Sequence, residues 1–293
     1  MNEGLKMKVA IVQIRSIEDV YQNLLLVDSF VQSATQLGCD LICFPENILY
    51  RGRKTIALQN DYAVVHLRDS VIEPVNSIGD LLKSFLQDWK IHVSLGSVLE
   101  KNPHERRPFN THLWCEPDGE ILTYQKIHLF RFSGKQTYDE ASEISAGQNP
   151  LVVDCKGFHI GLSVCYDLRF PEMFRWMSLT QRQDVILVPA AFAQETGKVH
   201  WHCLLRARAI ENLSYILAPA QWGGHQDDRG QKMTCYGHSI AYDPWGQPMT
   251  ELGSTGDSMF LVEITKKRIQ QCRERLPSTD QGFFKLSPPS GPL

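Results

Sequence analysis

The sequence Ile160-Gly161-Leu162-Ser163-Val164-Cys165-Tyr166-Asp167-Leu168-Arg169-Phe170-Pro171-Glu172 changes from an apolar strand pattern to a charged turn at its cysteine. Pro171 ends any strand and suits the first turn of a helix. We therefore expect Cys165 at the carboxyl end of a strand and near a helix amino terminus, where ligands collect in open α/β sheets and a thiolate is favoured. Cysteine is also common as a small buried apolar residue, so this position alone does not identify an enzyme.

Strand and helix patterns alternate on both sides of this stretch, which predicts an α/β layered sandwich. The predicted strands are 8–14, 40–45, 92–99, 109–115, 121–126, 150–154, 158–164, 184–189, 214–221, 237–243 and 259–264. The predicted helices are one between Asp19 and Gly38, one over 78–89, one after Pro171, and those over 197–212 and 266–275.

Residues 130–148 are rich in Ser, Gly, Lys and acidic side chains, which predicts an ordered loop over the site. Segments 40–45 and 184–189 both follow a helix, begin with Asp, run apolar and end in Pro, which hints at two similar halves.

The chain of 293 residues shows no linker, so we expect one domain over 1–293. Its core is expected over about 8–265, and 266–293 would add a C-terminal helix and a Pro-rich arm.

Composition excludes several classes of function. A hydrophobic content of 43% with 22% charged residues is typical of a soluble globular protein, and a net charge of −3 provides no basic field for nucleic acid. The longest apolar run, 185–193, contains Pro189 and is too short to cross a bilayer, and the run 9–12 is too short for a signal-peptide core. The eight cysteines form no C-x-x-C pair, which suits reduced thiols. We therefore expect a cytoplasmic protein that binds neither membrane nor nucleic acid.

Glu46, Lys126 and Cys165 each follow a predicted strand, so one fold can bring them to one rim. A thiol that attacks an acyl carbon needs a base, and a carboxylate in a dry pocket has its pKa raised toward that task, which suits Glu46. The Lys126 ammonium and the Tyr166 N–H can stabilise the negative charge on the carbonyl oxygen. A buried lysine needs a carboxylate neighbour to stay charged, and Glu140 can provide it.

Other interpretations fit the same spacing. Glu46 is equally consistent with a helix cap or an exposed residue, Lys126 with a solvated charge at a hairpin end, and Glu140 with the surface. A metallohydrolase using His200, His202, His225 or His238 is a different class, although His200 and His202 are two residues apart and diverge on a helix. Residues 161–165 resemble the G-x-S-x-G turn of serine hydrolases, but Cys165 occupies the position of its second glycine. A non-catalytic binding relative is also consistent with the sequence.

Several segments together resemble the nitrilase superfamily of carbon–nitrogen hydrolases, in order over roughly 8–264. They are Phe44-Pro45-Glu46, Lys126-Ile127-His128-Leu129-Phe130, the run from Cys165 to Glu172, the run from His200 to Asn212, Tyr236-Gly237-His238-Ser239 and Asp243-Pro244-Trp245-Gly246.

The resemblance implies a four-layer αββα sandwich and a Glu-Lys-Cys triad. It assigns Glu46 as general base, Lys126 as oxyanion stabiliser and Cys165 as nucleophile, and it aligns the second family glutamate with Glu140. The activity it implies is hydrolysis of a C–N bond through a cysteinyl thioester, with no metal or organic cofactor.

The segments around Arg169 and 204–211 look like the branch that contains deaminated glutathione amidase and omega-amidase. Those enzymes cleave amides of small carboxylate-bearing substrates; a nitrile or an N-carbamoyl amine is the alternative within the superfamily. The Arg169 guanidinium would bind a substrate carboxylate through two hydrogen bonds. The alternative role of Arg169 is a structural ion pair with Asp167 or Glu172. Tyr166 and Phe192 would complete the substrate site. The resemblance also implies a homodimer or higher homo-oligomer.

Overall fold

The computed structural model of the protein describes residues 4–51, 84–133, 137–226 and 232–281. The first strands are β1 (Lys6–Gln13), β2 (Leu41–Cys43), β3 (His92–Glu100), β4 (Phe109–Cys115), β5 (Ile121–Gln125), β6 (Arg131–Ser133) and β7 (Thr137–Asp139). They are followed by β8 (Val152–Cys155), β9 (Phe158–Leu162), β10 (Val185–Leu187), β11 (Tyr215–Ala218), β12 (Trp222–Gln226), β13 (Lys232–Tyr236), β14 (Ile240–Tyr242), β15 (Pro248–Glu251) and β16 (Ser258–Thr265). The helices are α1 (Val20–Gln36), α2 (Pro171–Gln181), α3 (Gln194–Asn212) and α4 (Lys266–Arg275).

The two six-stranded sheets share one pattern of parallel and antiparallel strand pairing. The first runs β16-β1-β2-β3-β4-β5 and the second, taken from its other edge, β8-β9-β10-β11-β14-β15. In each, three central strands are parallel and the outer strands pair antiparallel. The similar segments 40–45 and 184–189 contain β2 and β10, which hold the same central place in the two sheets. The hint of two similar halves is therefore matched by the topology.

The sheets face each other, and helices cover their outer faces. Alternate side chains of β1 divide accordingly: Val9 and Ile11 belong to the core shared with the second sheet, whereas Ala10 and Val12 pack with α1. On the second sheet, Gly161 of β9 faces Met177 of α2, where an added Cβ would lie 3.3 Å from the Met177 methyl group. The predicted four-layer αββα sandwich is confirmed. Burying each large apolar side chain in these layers contributes about 1.5–3 kcal/mol.

Two strand pairs were missed, and so was the edge strand β15 of the second sheet. Residues 130–148, predicted as loop, contain the β6–β7 hairpin and a short 3-10 turn at Glu140–Ser142. The β12–β13 hairpin also was not predicted, because two glycines and partly exposed positions hide its alternation. Both pairs lie outside the two large sheets.

Some predictions fall wholly or partly outside the described residues. The helix predicted over 78–89 is described only from residue 84, and 84–88 is helical. The C-terminal arm is described only as far as residue 281. Among the described residues, none of the helices combines the length and the hydropathy that a membrane span requires.

Candidate active site

The ends of three strands bring Glu46, Lys126 and Cys165 into one cavity of about 100 Å³. β5 runs in the same direction as β2, because two antiparallel pairings separate it from the parallel strands. Lys126 Nζ lies 3.1 Å from Glu46 Oε1, and the Cys165 thiol lines the same cavity as the Glu46 carboxylate. The strand-end argument from the sequence therefore led to residues that are neighbours in space.

Glu46 is held from both sheets. Its Oε2 accepts a hydrogen bond from the backbone N–H of Ala191, just beyond β10, at 2.9 Å. The backbone of Gly96 presses against Pro45 so closely that an added Cβ would lie 1.9 Å from the Pro45 carbonyl oxygen, and Gly96 has a φ of +67°. Only glycine suits that position. Glu46 is 4% exposed, so the alternative of an exposed glutamate is wrong.

Cys165 begins a 3-10 turn, Cys165–Arg169, directly after the strand end. Its φ of +46° lies in the left-handed region, which is uncommon for a residue with a side chain. Its backbone N–H donates to the carbonyl oxygen of Pro189 at 2.9 Å. This turn directs the thiol out of the strand and into the cavity.

The carboxylate of Asp167 stabilises the same turn through hydrogen bonds. Its fully buried carboxylate accepts hydrogen bonds from the Val164 N–H (2.9 Å), the Tyr124 hydroxyl (2.8 Å) and the His128 N–H (2.9 Å). The sequence suggested Asp167 only as an ion-pair partner of Arg169. Its contacts with His128 and Tyr124 join segments 39 and 43 residues apart, and nothing in the local pattern signals them.

Lys126 lies between two carboxylates. Glu140 Oε2 is 2.9 Å from Lys126 Nζ, opposite Glu46, and also accepts a hydrogen bond from the Phe130 N–H at 2.6 Å. Asn110, which the sequence did not suggest, donates to Glu46 at 2.9 Å. Lys126 is 2% and Glu140 7% exposed, so the alternatives that put them at the surface are wrong.

The charges of this cluster follow from these contacts. Burial opposes the charged form of Lys126, but Glu140 and Glu46 together raise its pKa well above the ordinary lysine value. Burial also favours a neutral Glu46, yet the positive charge of the Lys126 ammonium outweighs burial and lowers the pKa of that carboxyl below its ordinary value. The expectation of a raised Glu46 pKa is therefore wrong, because the dry pocket contains a cation.

The pKa of the Cys165 thiol is raised, whereas that of the Glu46 carboxyl is lowered. Burial, and then the negative charge of Glu46, raise the pKa of Cys165 well above the ordinary cysteine value. The expectation that a helix amino terminus would favour the thiolate is wrong, since desolvation and a like charge outweigh it. The resting pair is a neutral thiol and a charged carboxylate in one cavity.

Arg169, Tyr166 and Phe192 line the same cavity. The guanidinium of Arg169 lies 5.4 Å from the centre of the Tyr166 ring and 5.1 Å from that of Phe192, and its Nη1 is 3.2 Å from His200 Nδ1. In the part of the chain that the structure describes, Arg169 forms no ion pair with Asp167 or Glu172. Arg51, not suggested by the sequence, adds a second guanidinium to the lining.

The four histidines weighed as metal ligands do not form one group. His200 contacts Arg169, and His225 accepts a hydrogen bond from Arg51 Nε at 3.2 Å. His202 and His238 both contact Glu251. None of the four is among the described residues that line the cavity of Cys165, so the structure gives no support to a histidine-bound metal at that thiol.

Comparison with known proteins agrees with this geometry. The carbon-nitrogen hydrolase family model matches residues 8–274. A deaminated glutathione amidase of Synechocystis is 34% identical over 281 residues, which cover 94% of this chain and 97% of that protein. Among solved structures, the NitFhit protein of C. elegans superposes with a TM-score of 0.82 at 30% identity, covering 98% of this chain and 68% of that one. Nit3 of Saccharomyces cerevisiae, a member of branch 10 of the nitrilase superfamily, gives a TM-score of 0.79 at 28% identity, covering 95% and 97%.

Proposed function

The chain belongs to the carbon–nitrogen hydrolase family, and from that premise we propose that Cys165, Glu46 and Lys126 hydrolyse an amide of a small carboxylate-bearing substrate. The chain is a hydrolase that acts on amides; the roles of its residues and the identity of its substrate are the proposal. The observation that carries the proposal is that one cavity contains the Cys165 thiol and the buried Glu46 carboxylate, which lies 3.1 Å from the Lys126 ammonium.

In the first half-reaction, the Cys165 sulfur attacks the amide carbon while Glu46 takes the thiol proton. The C–S bond forms, and the carbonyl π electrons move to oxygen. The Lys126 ammonium and the Tyr166 N–H stabilise that oxyanion, and one such donor in a dry site contributes about 3–4 kcal/mol. Glu46 then returns the proton to the leaving nitrogen, the C–N bond breaks, and ammonia or an amine departs.

In the second half-reaction, Glu46 takes a proton from water, and the water oxygen attacks the thioester carbon. The C–S bond breaks, the carboxylic acid product leaves, and the proton on Glu46 restores the neutral thiol. Glu140 keeps Lys126 charged through both halves, because its carboxylate lies 2.9 Å from the ammonium. Neither half-reaction uses a cofactor.

The substrate class is argued from the cavity lining. Arg169 and Arg51 provide positive charge beside Cys165, which suits a substrate carboxylate. The cavity of about 100 Å³ suits a small acyl group, and the Tyr166 and Phe192 rings offer it apolar walls. The similarity to a deaminated glutathione amidase favours a deaminated glutathione-like amide as the substrate.

The test is ammonia or amine release from deaminated glutathione, 2-oxoglutaramate, glutamine and simple nitriles. We expect turnover of the first and none for Cys165→Ala, whose circular dichroism and melting should match the wild type. Preference for 2-oxoglutaramate would indicate an omega-amidase, and preference for a nitrile a nitrilase. Unchanged activity of Cys165→Ala would refute the thiol mechanism, and a wild type inactive on every substrate would favour the non-catalytic relative.

We also propose a cytoplasmic location, one domain and a homodimer or higher homo-oligomer. The cytoplasmic location is supported by eight cysteines that are all unpaired. The single domain is supported by one family match that spans residues 8–274. The assembly is proposed on family grounds. Size-exclusion chromatography with light scattering would test it.

A further inference from the structure

Away from the active site, two imidazoles and a carboxylate converge on one point, and we propose that they bind a zinc ion. His202 Nε2 lies 2.9 Å and His238 Nδ1 2.7 Å from the same oxygen, Oε1 of Glu251. The three ligand atoms lie within 4.8 Å of one another. They come from α3, from the segment between β13 and β14, and from β15, so only the fold brings them together.

The donor set and its geometry suit zinc. Zn²⁺ takes imidazole nitrogen and carboxylate oxygen at about 2.0–2.2 Å, and three such protein ligands leave a fourth tetrahedral position for water. Tetrahedral ligand atoms lie about 3.3 Å apart at those bond lengths, so each nitrogen–oxygen distance would have to lengthen by about half an ångström to admit the ion. The two imidazole planes are inclined by 76°, so their lone pairs approach the carboxylate from different directions. Mg²⁺ and Ca²⁺ prefer all-oxygen sites and fit less well.

The site is open to an ion from solution. The side chains of His202 and Glu251 are each 36% exposed and that of His238 is 24% exposed. That exposure leaves room for the water that would complete the coordination.

His238 is already fixed in place. Its backbone N–H donates to the Gly253 carbonyl oxygen at 3.2 Å, and its carbonyl oxygen accepts from Trp201 Nε1 at 2.8 Å. The Tyr236 ring stacks on its imidazole at 4.3 Å. Such support orients a metal ligand before the metal binds.

Bound zinc would cross-link α3 to the edge strand β15. Trp201, which bonds His238, also packs against the pocket residue Phe192 at 5.1 Å between ring centres. The ion would therefore stabilise the wall of the active-site cavity without touching the reacting atoms.

The experiment is a zinc titration of the full chain after treatment with a chelator and dialysis, followed by calorimetry and by thermal melting. The variants are His202→Ala and Glu251→Gln, each checked by circular dichroism. The matched control is His159→Ala, which removes another exposed imidazole, one that lies 4.0 Å from the Asp154 carboxylate. Thiols that bind zinc, Cys165 among them, are present in all four proteins and cancel in the comparison.

We expect the wild type and the control to bind one more equivalent of zinc than either cluster variant. We also expect zinc to raise the melting temperature of the wild type and the control, and to leave that of His202→Ala and Glu251→Gln unchanged. Equal zinc uptake by all four proteins would mean adventitious binding only and would overturn the proposal. Loss of uptake in His159→Ala as large as in His202→Ala would overturn it too.

Discussion

The carboxylate of Asp167 accepts a hydrogen bond from the Tyr124 hydroxyl at 2.8 Å, and this contact joins the turn of Cys165 to the strand that leads to Lys126. The nucleophile and the ammonium follow strands of different sheets, so their separation depends on such links. A fully buried carboxylate that satisfies several donors also contributes to stability, because removing it leaves those donors without partners.

Asp167→Asn should therefore lower both stability and turnover. The amide can accept fewer of these hydrogen bonds and turns its own N–H groups toward donors, which should cost about 1–3 kcal/mol of unfolding free energy. Urea unfolding measures the first effect and kcat for amide hydrolysis the second. Asp154→Asn is the control, since its exposed carboxylate lies outside these contacts. Loss of stability with an unchanged kcat would mean that Asp167 supports the fold and does not position Cys165.

Glu140→Gln should weaken catalysis through Lys126. Glu140 and Glu46 raise the Lys126 pKa against the effect of burial, so removing one carboxylate should lower it. A raised lysine pKa contributes stability that is fully present below the unfolded pKa and is lost as pH rises through the folded one. The alkaline limbs of both stability and activity should therefore move to lower pH.

The expected loss in kcat for Glu140→Gln at neutral pH is about tenfold or more, up to the 10²–10³-fold that follows loss of an oxyanion donor. Glu120→Gln, an exposed turn position, should change neither kcat nor the pH profile. Unchanged kcat and an unchanged alkaline limb in Glu140→Gln would show that Glu46 alone keeps Lys126 charged.

The acid limb of kcat/KM should report Glu46. The Lys126 ammonium outweighs burial and lowers the Glu46 pKa, so the base stays ionised down to below the ordinary glutamate value of about 4.3. A depressed carboxyl pKa also contributes stability that is present above the unfolded pKa and is lost as pH falls through the folded one. We expect kcat/KM to stay level from about pH 5 to pH 7. An acid limb centred near pH 6 or 7 would contradict the low Glu46 pKa.

The order of strand and helix patterns predicted an α/β layered sandwich, and the family resemblance implied its four layers. Val9 and Ile11 alternate with Ala10 and Val12 between two cores, so all four residues are apolar and β1 appears in the sequence as a continuous apolar run. The similarity of 40–45 and 184–189 reflected equivalent strands, β2 and β10. The hairpins β6–β7 and β12–β13 were missed because short strands outside the main sheets bury little and so carry little alternation.

The candidate site was predictable only in part, for a related physical reason. Glu46, Lys126 and Cys165 follow strands, so sequence position alone placed them at sheet rims. The contacts of Asn110 and Asp167 join distant segments and leave no local pattern. The Glu46 pKa was predicted in the wrong direction, because its sign depends on a balance between burial and a cation 3.1 Å away that only coordinates reveal.

The last prediction concerns Arg169, which lines the cavity and has no carboxylate partner among the described residues. Arg169→Met should lower kcat/KM about 10–100-fold for a carboxylate-bearing amide, because a hydrogen bond to a charged group contributes about 1.5–3 kcal/mol. Most of the loss should appear in KM, since a carboxylate remote from the reacting carbon is bound equally in ground and transition states. The kcat/KM of Arg169→Lys should lie between that of the wild type and that of Arg169→Met. Lysine keeps the positive charge but cannot bind a carboxylate through two parallel N–H groups.

Two matched controls separate substrate binding from packing in these Arg169 variants. A simple amide without a carboxylate should be hydrolysed equally well by the wild type and by Arg169→Met. Glu172→Gln should leave all constants unchanged, because its exposed carboxylate forms no ion pair with Arg169 in the described structure. If Arg169→Met lost as much activity on the simple amide as on the carboxylate-bearing one, the guanidinium would instead support the Tyr166 and Phe192 rings, which it contacts at 5.4 and 5.1 Å.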